Sequence, residues 1–125
     1  MKFNLSIPVK VVSGIGCIEQ NASMLSLGSH AFIVCGARGA KLSGALDGVT
    51  SALDSLGIKY TLFNKSRENP PITMCFEGGA LCRESRADFV IGIGGGSAID
   101  AAKAVALFAA NEDLEMLDIF SPEKR

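Results

Sequence analysis

The stretch FVIGIGGGSAIDAAKAVALFAAN, residues 89–111, sets an apolar run against three glycines and then a long alanine-rich segment. Phe89 to Ile93 reads as a strand. Ser97 to Asn111 reads as a helix, with Ile99, Ala102, Val105, Ala106 and Ala109 recurring at helical spacing. Gly94, Gly95 and Gly96 form the turn between them, where any Cβ would hold a phosphate away from the backbone. A helix start offers unpaired N–H groups and a partial positive charge. Ser97 adds a hydroxyl that can cap the helix or reach a phosphate oxygen. The turn is expected to be a phosphate cradle of the kind that holds a dinucleotide cofactor, the alternative being a purely structural strand-to-helix turn.

Upstream, apolar runs of strand type alternate with helical segments. Pro8 to Ser13 is a strand candidate, followed by a helix over Cys17–Leu27 with Ile18, Ala22 and Leu25 on one face. Ala31 to Cys35 is a continuous apolar run, as in parallel strands covered on both faces. After the loop Gly36-Ala37-Arg38-Gly39, a helix is predicted over Leu42–Leu56, stopped by Gly57. Lys59 to Phe63 is a further strand. Asn69-Pro70-Pro71 interrupts, and Ile72 to Arg86 is helical with Gly78-Gly79 as a weak point. The alternation predicts an α/β domain: a doubly wound, mostly parallel, Rossmann-like sheet with right-handed crossovers and helices on both faces. Ligands gather at the carboxyl ends of strands in such folds, where the glycine run lies.

Composition narrows the partners. The 125 residues are 48% hydrophobic with a formal net charge of -1, so no basic surface invites nucleic acid or a membrane. No leader peptide is evident at Met1-Lys2-Phe3-Asn4, and the apolar stretch from Phe89 to Ala110 is broken by glycines, Ser97, Asp100 and Lys103. A cytoplasmic protein is expected. The four cysteines, Cys17, Cys35, Cys75 and Cys82, form no Cys-x-x-Cys pair, and His30 is the single histidine. They read as small buried thiols and a strand-edge histidine, with no metal ligand and no catalytic residue assigned in this chain.

The string Gly94-Gly95-Gly96-Ser97-Ala98-Ile99-Asp100-Ala101-Ala102-Lys103 resembles G-G-G-S-x-x-D-x-A-K, the cofactor signature of the iron-containing (group III) alcohol dehydrogenases. The resemblance extends to Pro8-Val9-Lys10 with Gly14-Ile15-Gly16, to Asn69-Pro70-Pro71, and to Ala87-Asp88-Phe89. It covers only that family's N-terminal dinucleotide-binding domain, which is dehydroquinate-synthase-like. It implies that Gly95, Gly96 and Ser97 hold the pyrophosphate, that Asp100 lies towards the nicotinamide, and that Asn69 touches the cofactor. It also implies a metal, iron or zinc, held by a C-terminal helical domain, and a dimer with the N-terminal strand as a candidate edge. Residues 1–116 then form the cofactor domain, and 117–125, polar and containing Pro122, begin a linker.

One departure bears on the cofactor. Members that use NAD often carry an Asp at the end of the second strand, where this sequence has Gly36. The missing carboxylate, with Arg38 two residues on, favours NADP over NAD. The expected activity is hydride transfer between an alcohol or aldehyde and the nicotinamide, with the 125 residues alone binding cofactor and not turning over. The alternatives are a glycerol-dehydrogenase-like or dehydroquinate-synthase-like enzyme, or a stand-alone nucleotide-binding module.

Overall fold

The computed structural model describes residues 2–121 and 123. Three parallel strands, β1 (His30–Gly36), β2 (Lys59–Ser66) and β3 (Phe89–Ile93), form a sheet in the order β2-β1-β3. The first helical turns are α1 (Cys17–Gln20) and a 3-10 turn at Ala22–Leu25. Between β1 and β2 lie α2 (Gly39–Leu42) and α3 (Ala45–Ser55). Next, α4 (Ile72–Glu84) links β2 to β3, and α5 (Gly96–Ala110) follows β3.

Strand β1 organises the core because it is central. Residues Ala31 to Cys35 are each 0% exposed, and strand geometry sends them alternately to opposite faces. Phe32 and Val34 pack with Phe63, Met74, Val105 and Phe108, between the sheet and the pair α4 and α5. Ala31, Ile33 and Cys35 pack with Ala40, Val49, Leu53 and Ile93 on the α2–α3 face. The doubly wound α/β reading holds. The cysteines in these layers act as small apolar side chains: burial pushes the Cys35, Cys75 and Cys82 thiols up and keeps them neutral. His30 opens β1, half-buried, with Nε2 2.7 Å from Thr61 Oγ1 on the neighbouring strand.

Several elements differ from the sequence reading. Pro8–Ser13 is not a strand; it lies in a stretch without regular structure, because no sheet edge among the described residues pairs with it. Its side chains Val9, Val11 and Val12 are exposed, as are Phe3, Leu5 and Ile7 before them. The Cys17–Leu27 helix breaks at Asn21, whose side-chain amide donates to the Cys17 carbonyl at 2.9 Å and competes with the helical backbone. The expected Leu42–Leu56 helix starts later, as α3 at Ala45, because Gly44 takes a left-handed φ of 78°, and the separate turn α2 forms ahead of it over Gly39–Leu42. Helix α4 passes through Gly78 and Gly79 unbroken. Both glycines face α5, where a Cβ on Gly79 would stand 2.5 Å from Phe108 Cβ. They are the seam of two helices, not a weak point. Arg83 of α4 donates across the same seam to the Phe108 carbonyl.

In the tail, Leu114 is buried and Ile119, on a 3-10 turn at Asp118–Phe120, packs against the α4–α5 core. Pro122 and residues 124 and 125 of the expected linker lie outside the described residues.

Asp88, just ahead of β3, ties the start of β1 in place. Its carboxylate accepts from the Ser29 and His30 backbone N–H groups at 2.9 and 3.0 Å and from the Ser29 hydroxyl at 3.1 Å. The Ser29 N–H, then the His30 N–H, hold its carboxyl below the ordinary 3.8. A lowered folded pKa means stability that is present above the unfolded value and lost as pH falls through the folded one. Urea melts at pH 7 and pH 3 will therefore show the parent chain and Asp88→Asn converging in stability at the acid end. A gap that stays constant with pH would remove this role from Asp88.

Candidate functional site: a cleft at the carboxyl ends of the strands

Strand order reverses at β1: the chain lays β2 on one side of it and then β3, also parallel, on the other. The connection from β1 covers one face of the sheet with α2 and α3, while the helix after β3 covers the other. Neighbouring strands whose connections diverge leave a crevice at their carboxyl ends. A cleft of about 640 Å³ lies there. Its walls are Gly36 from β1, Ile93 to Ala98 from the β3–α5 turn, Ser66 to Glu68 from the end of β2, and residues of α2 and its loop.

The three glycines of the turn differ in what they do for the fold. Gly94 has φ +144°, and a Cβ there would stand 2.8 Å from Ala98 Cβ, so the turn itself requires glycine. Neither Gly95 nor Gly96 has such a φ, and a Cβ on either would meet nothing within 4 Å. No internal contact accounts for glycine at those two positions. Their missing side chains leave the cleft open over the start of α5. That start has Gly95 as its N-cap and no side-chain cap, and its first intrahelical bond runs from the Ile99 N–H to the Gly95 carbonyl. The N–H groups of the preceding residues thus lack helical acceptors, and the helix dipole adds positive character. A 15-residue helix, uncapped and facing open space, suits an anion.

The expected site residues separate into two groups. Gly36, Gly94, Gly95, Gly96 and Ser97 all line the cleft. Ser97 is the second residue of α5 rather than its cap, half-buried on the cleft wall. Arg38, Asn69 and Asp100 are not among the lining residues. Arg38 precedes α2 as its N-cap. Asn69 sits exposed after the cleft wall at φ 48°, a left-handed backbone that asparagine tolerates better than most residues. Asp100 lies beyond the first turn of α5, because the helix starts at Gly96, and pairs with Lys103 at 3.2 Å in an exposed ion pair worth little.

Ser66, Arg67 and Glu68 were missed by sequence reasoning, since β2 was expected to end at Phe63. It continues to Ser66, with a register slip: Val34 pairs with Phe63 but Gly36 pairs with Ser66. That bulge brings the strand's last residue beside Gly36, whose added Cβ would meet the Ser66 carbonyl at 3.3 Å. The Asn-Pro-Pro string signalled where the loop ends, and nothing in the pattern signalled the bulge.

Among the described residues, no group of three His, Cys, Asp or Glu side chains could hold a metal ion. No helix among them is long and apolar enough to cross a membrane.

Comparison with known proteins agrees with this geometry. Residues 8–125 match the family of iron-containing alcohol dehydrogenases. The chain is 39% identical over 120 positions to a long-chain primary alcohol dehydrogenase of Thermoanaerobacter ethanolicus, covering 89% of this chain and 30% of that protein. It is 34% identical to an NADPH-dependent butanol dehydrogenase of Clostridium saccharobutylicum, covering 98% and 30% respectively. A crystal structure of an iron-containing alcohol dehydrogenase superposes with a TM-score of 0.92 at 33% identity, covering 99% of this chain and 35% of that one. Another, from Thermotoga maritima, superposes with a TM-score of 0.82 at 34% identity, covering 87% and 31%. The chain thus spans about a third of the length of these relatives and corresponds to their N-terminal part. This chain belongs to the iron-containing alcohol dehydrogenase family.

Proposed function

We propose that these residues form the part of an alcohol dehydrogenase that binds a nicotinamide dinucleotide, NADP in preference to NAD. The pyrophosphate lies against Gly94, Gly95, Gly96 and Ser97, on the N–H groups at the start of α5. The observation that carries this reading is the pair Gly95 and Gly96: both are glycine without an internal reason, and both open onto an uncapped helix start. Once bound, the dinucleotide supplies the hydride acceptor or donor for an alcohol–aldehyde interconversion. Asp100 and Asn69 would then approach the cofactor from α5 and from the loop before α4.

The preference for NADP rests on Gly36, where no carboxylate repels a 2′-phosphate. The names of relatives do not decide it: one butanol dehydrogenase is NADPH-dependent and another, from Clostridium acetobutylicum, is NADH-dependent. The described residues offer no metal-ligand set, so activation of the alcohol oxygen falls to groups outside them, and the chain alone binds without turning over. The exposed arm with Phe3, Leu5, Ile7, Val9 and Val11 alternates apolar and other residues, and this supports a homodimer in which it pairs with a second copy.

Titration of the chain with NADPH and NADH, followed by quenching or enhancement of nicotinamide fluorescence, tests the reading. Saturable binding is expected, tighter for NADPH. Binding of neither would remove the cofactor assignment, and equal binding of both would remove the preference.

A further inference from the structure

We propose that Ser66 and Arg67, at the bulged end of β2, read the 2′-phosphate of the adenosine ribose, and that Glu68 limits how tightly they do so. This rests on the dinucleotide reading above.

Ser66 carries the one buried side-chain polar atom among the described residues that has no hydrogen-bond partner. The residue is 7% exposed and lines the cleft. A buried hydroxyl without a partner costs stability, and native proteins seldom keep one without a use. A rotation about its Cα–Cβ bond is all that changes where Oγ points. The hydroxyl is both donor and acceptor, so a ligand oxygen on the cleft side satisfies it.

Its position fits one part of the ligand. The glycine turn belongs to β3, Gly36 ends the adjacent strand β1, and Ser66 ends β2 one strand further on. Strands lie roughly 4.8 Å apart, so β2 ends roughly 10 Å from the turn that holds the pyrophosphate. In dinucleotide folds the strand beside the phosphate turn meets the adenosine ribose. Gly36 leaves that space free, and the substituent on C2′ then faces β2. Arg67 lines the same cleft and makes no ion pair among the described residues, whereas Lys65, two residues earlier, is taken by Glu77 at 2.8 Å. A guanidinium with a neighbouring hydroxyl is a phosphate-binding pair. Arg38, the sequence-based choice for this role, is not on the cleft wall.

Glu68 is the opposing group, the one acidic residue on that wall. In an NAD site a carboxylate there would accept from the ribose hydroxyls, so it makes the two readings separable.

The test compares NADPH and NADH binding to the parent chain, Ser66→Ala, Arg67→Gln and Glu68→Gln, with urea melts of each. Arg67→Gln is expected to weaken NADPH about tenfold and Ser66→Ala about fivefold, with NADH changed less than about twofold in both. Glu68→Gln is expected to tighten NADPH about threefold. Ser66→Ala should also unfold at equal or higher urea than the parent, which separates lost recognition from lost folding. Losses shared equally by both cofactors, no loss at all, or a Glu68→Gln variant that loses NADH instead would each overturn the proposal. If the parent binds neither cofactor, the dinucleotide reading falls first and this one with it. If the parent binds and the variants bind alike, only this one falls.

Discussion

Replacing Gly96 with valine will abolish dinucleotide binding and leave unfolding cooperative, with its midpoint nearly unmoved. The fold has no stake in this position: a Cβ there meets nothing within 4 Å, and φ is not left-handed. Valine is also at least as good a helix former as glycine at the first residue of α5. The two methyls, however, would occupy the space above the free N–H groups, where a phosphate oxygen must come within about 3 Å. Losing two hydrogen bonds to a charged group costs about 3 kcal/mol or more, which is upwards of 100-fold in affinity. Gly94→Ala supplies the contrast. Its φ of +144° and the Ala98 contact predict that it loses stability and binding together. Fluorescence titration and urea melts of the two variants read both outcomes. A Gly96→Val chain that binds like the parent would put the pyrophosphate elsewhere.

The second large effect concerns folding alone. Gly79→Val will destabilise the chain by about 3 kcal/mol, because the helices it separates cannot both stay in place. A Cβ there would lie 2.5 Å from Phe108 Cβ and 3.1 Å from the Ala109 nitrogen and the Phe108 carbonyl carbon. Backbone atoms cannot rotate aside, so α4 and α5 must part. Gly78→Ala is the milder neighbour, since its conflict is with a Val105 methyl at 2.7 Å and with the Phe63 ring, both on side chains that can shift. It also gains helix propensity of about 1 kcal/mol. A urea midpoint that falls steeply for Gly79→Val and little for Gly78→Ala is the expected pattern. Equal effects would mean that the seam is looser than these distances state.

The elements read correctly from sequence were those whose pattern answers to a single requirement. Ala31–Cys35 had to be apolar throughout because both faces of β1 are covered, and Phe89–Ile93 with its glycines had to end in a turn. The elements misread were governed by partners that no local pattern displays. Pro8–Ser13 has strand composition but lacks a neighbouring strand among the described residues. Gly78 and Gly79 looked like helix breakers because their true constraint, Val105, Phe108 and Ala109 on the face of α5, comes almost thirty residues later in the chain. Asn21 and Gly44 ended helices by side-chain competition and a left-handed φ, which helical spacing alone does not register. In the cleft, the position of the glycines and Ser97 was legible because a strand, a glycine run and a helix in succession put them at the carboxyl end of β3. Ser66 and Arg67 were not, since a one-residue bulge at the end of β2 decides which side chains reach the cleft.

Strand β1 supplies side chains to both core layers, with five successive residues sealed from solvent. Neither layer can loosen without exposing the other's anchor, so the two are expected to melt as one unit, with coincident urea transitions by fluorescence and circular dichroism. The floor of the cleft at Gly36 hangs from the end of that strand. A ligand arriving there meets a surface already shaped by the least yielding part of the molecule, and little of its binding energy is diverted into arranging the protein around it.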